Sequence, residues 1–170
     1  MVIEKIYFDM DGVLANFDKG LIDICGITPQ NQATKSDAYD DMMWGKVREA
    51  GHYYDMLEPL EDGIKVFNYL YEKYGDKCEI LSAIPKPKRG IVTAKEDKIN
   101  WVRRLISKDI KANIVMREEK KNYVKGPGYI LIDDLEKNIK EWNEEGGNGI
   151  VFTDYASVIS RIKEIESMIL

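Results

Sequence analysis

Asp9 and Asp11 stand two residues apart, just after the run Val2-Ile3-Glu4-Lys5-Ile6-Tyr7-Phe8 and just before Gly12. A carboxylate so placed can attack phosphorus and form an aspartyl-phosphate. A second carboxyl beside it can protonate the leaving oxygen and later activate water. Crowded carboxylates repel one another, which calls for a shared proton or a hard cation with oxygen ligands such as Mg²⁺. Three further positions complete such a site: Ser82 after Ile80-Leu81, Lys98, and Asp133-Asp134 after Tyr129-Ile130-Leu131-Ile132. A hydroxyl and an ammonium can hold the other phosphoryl oxygens, where charge must be stabilised. Each position alone also has a plainer reading. The first pair suits a helix cap or an Asx turn, Ser82 a strand-end hydroxyl, and Lys98 a solvated helix lysine. Asp133-Asp134 is the stronger signal, because two adjacent carboxylates rarely end a buried strand without a partner.

The elements that must position these residues follow from hydrophobic periodicity. The run up to Phe8 reads as a buried strand, and Gly12 allows the chain to turn sharply behind it. Further strands are expected at residues 78–84, 110–115, 129–132 and 149–152. Helices are expected at 16–25, 36–50, 61–74, 95–105, 135–145 and from 157 onward. Ser36 is a cap for its helix, and Gly51, Gly75 and Gly146-Gly147 are stops. Strands alternating with helices predict an α/β fold, a doubly wound, Rossmann-like parallel sheet covered on both faces. Its carboxyl edge is where ligands bind. Residues 18–58 break the alternation. They predict a small helical cap inserted after the first strand, leaving 1–17 and 59–170 as the core.

The composition limits the function. Of the 170 residues, 44% are hydrophobic, enough for a folded core. The net charge of −5 argues against a nucleic-acid polymer or a membrane surface as partner. No stretch is long and apolar enough to span a bilayer, and the N-terminus has no signal-peptide pattern. Cys25 and Cys78 have no metal or redox spacing, which fits reduced thiols and a cytoplasmic location. An EF-hand counted from Asp9 fails at Val13, Leu14 and Gly20, and there is no P-loop.

Four segments, Asp9-Met-Asp-Gly-Val-Leu-Ala-Asn-Phe17, Ile80-Leu-Ser-Ala83, Lys98-Ile-Asn-Trp-Val102 and Ile130-Leu-Ile-Asp-Asp134, together resemble the four motifs of haloacid-dehalogenase-like phosphatases. The nearer likeness is to the 5'(3')-deoxyribonucleotidase branch, which also has an aromatic pair just before Leu57-Glu-Pro-Leu60. The resemblance spans nearly the whole chain. It implies Asp9 as nucleophile and Asp11 as general acid/base. It implies Mg²⁺ held by Asp9, Asp133 and the backbone carbonyl of Asp11, with Asp134 supporting the metal shell. Ser82, Ala83 and Lys98 would face the phosphate, with Lys86 near enough to reach it. Phe17, Tyr53 and Tyr54 would line a base or sugar pocket. The substrate implied is a (deoxy)nucleoside monophosphate, and a homodimer is compatible with the family. Three positions depart from the branch: Asn16 stands where an acid is common, Ser82 where Thr is, and Ala83 where Ser is. Two rivals remain: a phosphatase of a sugar phosphate or other metabolite, and a phosphoryl-ligand-binding protein without turnover.

Several residues have bland readings beside the functional ones. Tyr53 and Tyr54 serve equally as cap core. Lys88 and Arg89 read as a solvated loop. Arg117-Glu-Glu-Lys-Lys121 reads as a solvated surface, with a lysine reaching the phosphate from there as the alternative. His52, the only histidine, reads as structural.

Overall fold

The computed structural model of the protein describes residues 2–32 and 34–168. In chain order, strand β1 (Lys5–Phe8) is followed by helices α1 (Phe17–Asp23), α2 (Asp37–Glu49) and α3 (Glu61–Tyr74). Then come β2 (Cys78–Ala83), α4 (Ala94–Leu105), β3 (Ala112–Val115), β4 (Tyr129–Asp133), α5 (Glu136–Glu144), β5 (Asn148–Val151) and α6 (Tyr155–Ser167). Short 3-10 turns lie at Tyr53–Met56, Gly75–Lys77, Pro87–Arg89 and Arg117–Tyr123. The strands form one parallel sheet in the order β3-β2-β1-β4-β5. This is the doubly wound α/β fold expected from the alternation.

The two faces of the sheet are unequal. Ile6, Phe8, Ile80, Ile130 and Ile132 point to one side, where they join Phe67, Leu70, Trp101, Val102, Val158 and Ile162 of α3, α4 and α6. Tyr7, Leu81 and Leu131 point to the other and pack on Ile139 and Trp142 of α5, with Tyr123 beside them. Alternate residues of one strand reach opposite faces, so both must be apolar in a sheet covered twice. Among the described residues the second face carries one helix, α5, and the Arg117–Tyr123 turn packs beside it.

Helix ends follow local chemistry. Asn16, Ser36 and Asp154 each accept a backbone N–H three residues on, from Lys19, Tyr39 and Ser157. Cys25 and Cys78 are both free thiols, so neither takes part in a disulfide.

The helical segment between β1 and α3 leaves and rejoins the core at one place. Ala15 and Pro59 form an antiparallel bridge. Asn16 N donates to Glu58 O (2.8 Å) and Leu60 N to Leu14 O (2.7 Å). Its far side is fastened too. Arg89 donates to Asp41 Oδ1 and Asp40 Oδ2, both at 2.6 Å, and Arg48 donates to Arg89 O at 3.1 Å. Arg89 is therefore not the solvated loop residue expected. Its guanidinium fork spans two acids on successive residues of α2, a contact with no signature in the local sequence.

Candidate active site

In a parallel sheet of this order, the chain moves outward from β1 to β2 on one side and from β4 to β5 on the other, and the crevice between the ends of β1 and β4 is the natural ligand site. Asp9 follows β1 and is tied across that crevice by Asp9 N donating to Ile132 O (3.0 Å). Asp133 ends β4, and Ser82 lies near the end of β2. Asp9, Ser82 and Asp133 are all buried.

The turn after Asp9 is built around one carbonyl. The amides of Val13, Leu14 and Ala15 all donate to Met10 O, at 3.1, 2.8 and 2.9 Å. Gly12 has φ +79°, which L-residues rarely adopt. A Cβ there would also lie 2.0 Å from Asp134 Oδ2. Gly12 thus serves the turn and the close approach of Asp134 together.

Asp9, Asp133 and Asp134 each place a carboxylate oxygen within 4.8 Å of the others. This donor set suits a hard divalent cation. The electrostatics agree with that fit. Burial pushes Asp9 up to about 7, helped by repulsion from Asp133 and Asp11 and opposed by Lys120 and Lys98. Asp134 is exposed as a residue, but its carboxyl packs against Gly12. Desolvation there, then repulsion from Asp9, Asp133 and Asp11, pushes it up to about 8. Asp133 moves the other way. Burial alone would raise it, but Lys120, Leu135 N–H and the Asn138 amide hold it below the usual range. Leu135 N donates to Asp133 Oδ1 (2.9 Å) and Asn138 Nδ2 to Oδ2 (3.0 Å). The three carboxyls carry more negative charge than the cavity neutralises unaided.

Lys120 is the largest addition to the expected site. Its ammonium lies 3.0 Å from Asp9 Oδ1 and donates to Asp133 Oδ2 at 2.8 Å. The side chain is buried, and the two carboxylates outweigh that burial and raise its pKa. The charged run from Arg117 to Lys121 is therefore not simply solvated surface. It is coiled as a 3-10 turn against the sheet, with Glu118, Glu119 and Lys121 exposed and Lys120 pointing inward. Asn138 is a second addition, as a support for Asp133.

Lys98 is fully buried and its three N–H bonds are all used. They go to Ser82 Oγ (2.8 Å), Ala83 O (2.6 Å) and Asp11 Oδ2 (2.9 Å). The Tyr54 ring centroid lies 4.6 Å from Nζ. Asp11 Oδ1 is buried and has no partner among the described residues, so that oxygen can still receive a hydrogen bond. Ala83 takes part through its carbonyl. The exposed Lys86 makes no hydrogen bond or ion pair with these groups among the described residues, so it is not drawn into the cluster here.

The aromatic residues divide into two kinds. Tyr53 and Tyr54 are buried, and Tyr53 donates its hydroxyl to Phe17 O at 2.5 Å. Phe17 packs edge-on to Tyr53 (5.2 Å) and lies 6.1 Å from Trp44. Phe17 and Trp44 are only half-buried. Of the rings expected at a base or sugar pocket, Tyr53 and Tyr54 are buried, and the more accessible rings are Phe17 and Trp44. Trp44 had no flag in the sequence beyond its aromatic character on α2.

No curated protein sequence matches the chain. Solved structures do match in fold. A haloacid-dehalogenase-like hydrolase from Streptococcus pneumoniae is 12% identical, covering 93% of this chain and 90% of that one, with a TM-score of 0.53. The L-2-haloacid dehalogenase of Xanthobacter autotrophicus is 14% identical over 88% and 76%, also at 0.53. A phosphonoacetaldehyde hydrolase-like protein from Oleispira antarctica is 9% identical over 91% and 74%, at 0.54. At these identities the likeness is one of fold. The sequence itself matches the family model described as 5' nucleotidase, deoxy (pyrimidine), cytosolic type C protein, over residues 1–164. With the family matched over nearly its full length, the chain is a member of the deoxy (pyrimidine) 5' nucleotidase, cytosolic type C family, and by that membership a phosphatase.

Proposed function

We propose that the protein hydrolyses phosphomonoesters with Mg²⁺, taking (deoxy)nucleoside monophosphates as substrates. The observation that carries this reading is the convergence of Asp9, Asp11, Ser82, Lys98, Lys120 and Asp133 at the β1/β4 crevice. Asp9, Asp133 and Asp134, with the backbone carbonyl of Asp11, would hold the ion. When bound, Mg²⁺ supplies positive charge that offsets these carboxylates and the substrate phosphate.

The chain's own residues do the rest. Lys98, Ser82 and Lys120 hold phosphoryl oxygens, with Lys98 exchanging its bond to Asp11 for one to the phosphate. The Asp9 carboxylate attacks phosphorus while Asp11 gives a proton to the departing alcohol oxygen. Asp11 then takes a proton from water, which attacks the aspartyl-phosphate, releases phosphate and regenerates Asp9. The segment at residues 18–58 acts as a cap that excludes water, with Phe17 and Trp44 offering apolar faces to the nucleoside. The family match supports the nucleotide over a sugar phosphate or a purely binding role.

The test is phosphate release across nucleoside monophosphates, sugar phosphates and an aryl phosphate, with Mg²⁺ and with EDTA. Mg²⁺-dependent release favouring deoxynucleotides is expected. Release from sugar phosphates alone overturns the nucleotide assignment, and no release from any of them overturns the catalytic reading.

A further inference from the structure

One face of α4 is bonded along its length to the segment that leads out of the inserted helices. Asp97 Oδ1 lies 2.8 Å from His52 Nδ1. Trp101 Nε1 donates to Leu57 O at 2.8 Å. Arg104 donates to Asp55 through Oδ1 (2.6 Å) and O (2.7 Å). Residues four and then three apart share a helix face, so these are three rungs of one seam. The Trp101 rung is a neutral hydrogen bond and the Arg104 rung an ion pair with Asp55. The His52 rung changes its charge within the working range of pH.

That rung joins two residues adjacent in sequence to the phosphate site. Asp97 precedes Lys98, and His52 comes two residues before Tyr54, whose ring faces the Lys98 ammonium. The Asp97 side chain is only 3% exposed, while that of His52 is 68% exposed. Asp97 Oδ2 is buried with no partner among the described residues. His52 can therefore exchange its proton with solvent without moving, and its charge is the compensation given to a nearly buried carboxylate. The groups facing the imidazole are acidic: Asp97 and Glu96 from α4, and Asp55 from its own turn, itself paired with Arg104.

From this seam we infer that His52 is a positioning residue: its protonated ring fastens the 52–57 segment to α4, aligning Tyr54 and Lys98 so that the phosphomonoester binds more tightly. The inference rests on the proposed function. The hydrogen bond to Asp97, then the charges of Asp97, Asp55 and Glu96, raise the His52 pKa above its ordinary 6.5. The fastening is therefore complete below that ordinary value. It is lost as pH rises through the raised one.

The experiment compares wild type with His52→Gln, which keeps a donor but never carries charge. KM and kcat for one deoxynucleotide are measured from about pH 6 to about pH 9. The second ionisation of the phosphate affects both proteins alike and cancels in their ratio. The KM ratio of variant to wild type is expected to be about two- to fivefold near pH 6, the scale of an exposed ion pair. It should approach unity near pH 9, with kcat little changed. A ratio constant with pH, whether unity or higher, overturns the inference. His52 is the only histidine, so its ring signals in NMR titrate unassisted by assignment. A raised pKa that falls in Asp97→Asn is expected; an ordinary pKa in wild type overturns the pair even if that variant does not fold. An inactive wild type would overturn the proposed function and the substrate half of this inference, while the titration would still decide the pair.

Discussion

The ammonium of Lys120 stands between Asp9 and Asp133, 3.0 Å from one carboxylate and 2.8 Å from the other. It is the cation that keeps the two acids together before any metal binds. Lys120→Met should destabilise the metal-free protein by about 3–5 kcal/mol, because it leaves two buried carboxylates facing each other. It should also lower kcat by about 10²- to 10³-fold by removing a charge aimed at the phosphoryl group. Urea unfolding with and without Mg²⁺ checks the first effect, and a smaller loss with Mg²⁺ is expected.

Asp9→Asn should lower turnover by roughly 10⁴-fold or more while leaving the fold intact. The amide cannot form the acyl-phosphate but fills the same volume, and Lys120 keeps Asp133 as partner. Measurement of single-turnover phosphate release beside a circular dichroism melt separates the two. Wild-type rates in this variant would remove Asp9 from the mechanism.

The metal-free protein should lose stability as pH rises from about 4 to about 8. Asp9 and Asp134 have folded pKa values raised to about 7 and about 8, against an ordinary 3.8. Across that window the folded state binds protons that the unfolded state has already released, so raising pH favours unfolding. Asp133, held low, works in the opposite direction only at more acidic pH. Denaturant midpoints at pH 5 and pH 8, in EDTA, test this. Added Mg²⁺ should restore the midpoint at the higher pH.

The two kinds of aromatic make different predictions. Tyr54→Ala removes a buried ring beneath Lys98. It should cost about 3–5 kcal/mol and raise KM alike for nucleotides and an aryl phosphate. Trp44→Ala should leave the aryl phosphate unaffected and raise the nucleotide KM about tenfold, the scale of one base–aromatic stack. Substrate-panel kinetics on both variants decide, and equal effects from Trp44→Ala would remove it from the nucleoside site.

Gly63, in the first turn of α3, supports the site through close packing. A Cβ there would fall 1.6 Å from Val13 O. Gly63→Ala must push α3 away from the turn that carries Asp11, and a shift near 1 Å is expected to cost about 10²-fold in kcat/KM. Steady-state kinetics beside a thermal melt checks this, with activity falling further than stability alone explains.

The sequence announced the parts of the site that sit at strand ends. Apolar runs that stop at Asp9, Ser82 and Asp133 carry both the element and the exception in the same few residues. The helices were legible for the same reason, since α3 begins and ends at the residues where its periodicity begins and ends. Lys120 and Arg89 were harder to see. Each lies in a charged stretch, and the carboxylates that pair with it are 13 to 111 residues away along the chain. Local composition cannot distinguish such a lysine from a solvated one. The burial of Tyr53 and the partial exposure of Trp44 were not legible, because aromatic character is visible in sequence while depth is set by packing. Gly63 gave no sign at all, because its purpose is the nearness of Val13.

The inserted helices enter and leave through a single doorway at Ala15 and Pro59. The strands pair in their own register outside those two residues. The segment beyond the doorway is nonetheless packed as one body with the sheet, since Tyr53, Tyr54 and Leu57 share the main apolar core with Ile6 and Phe8.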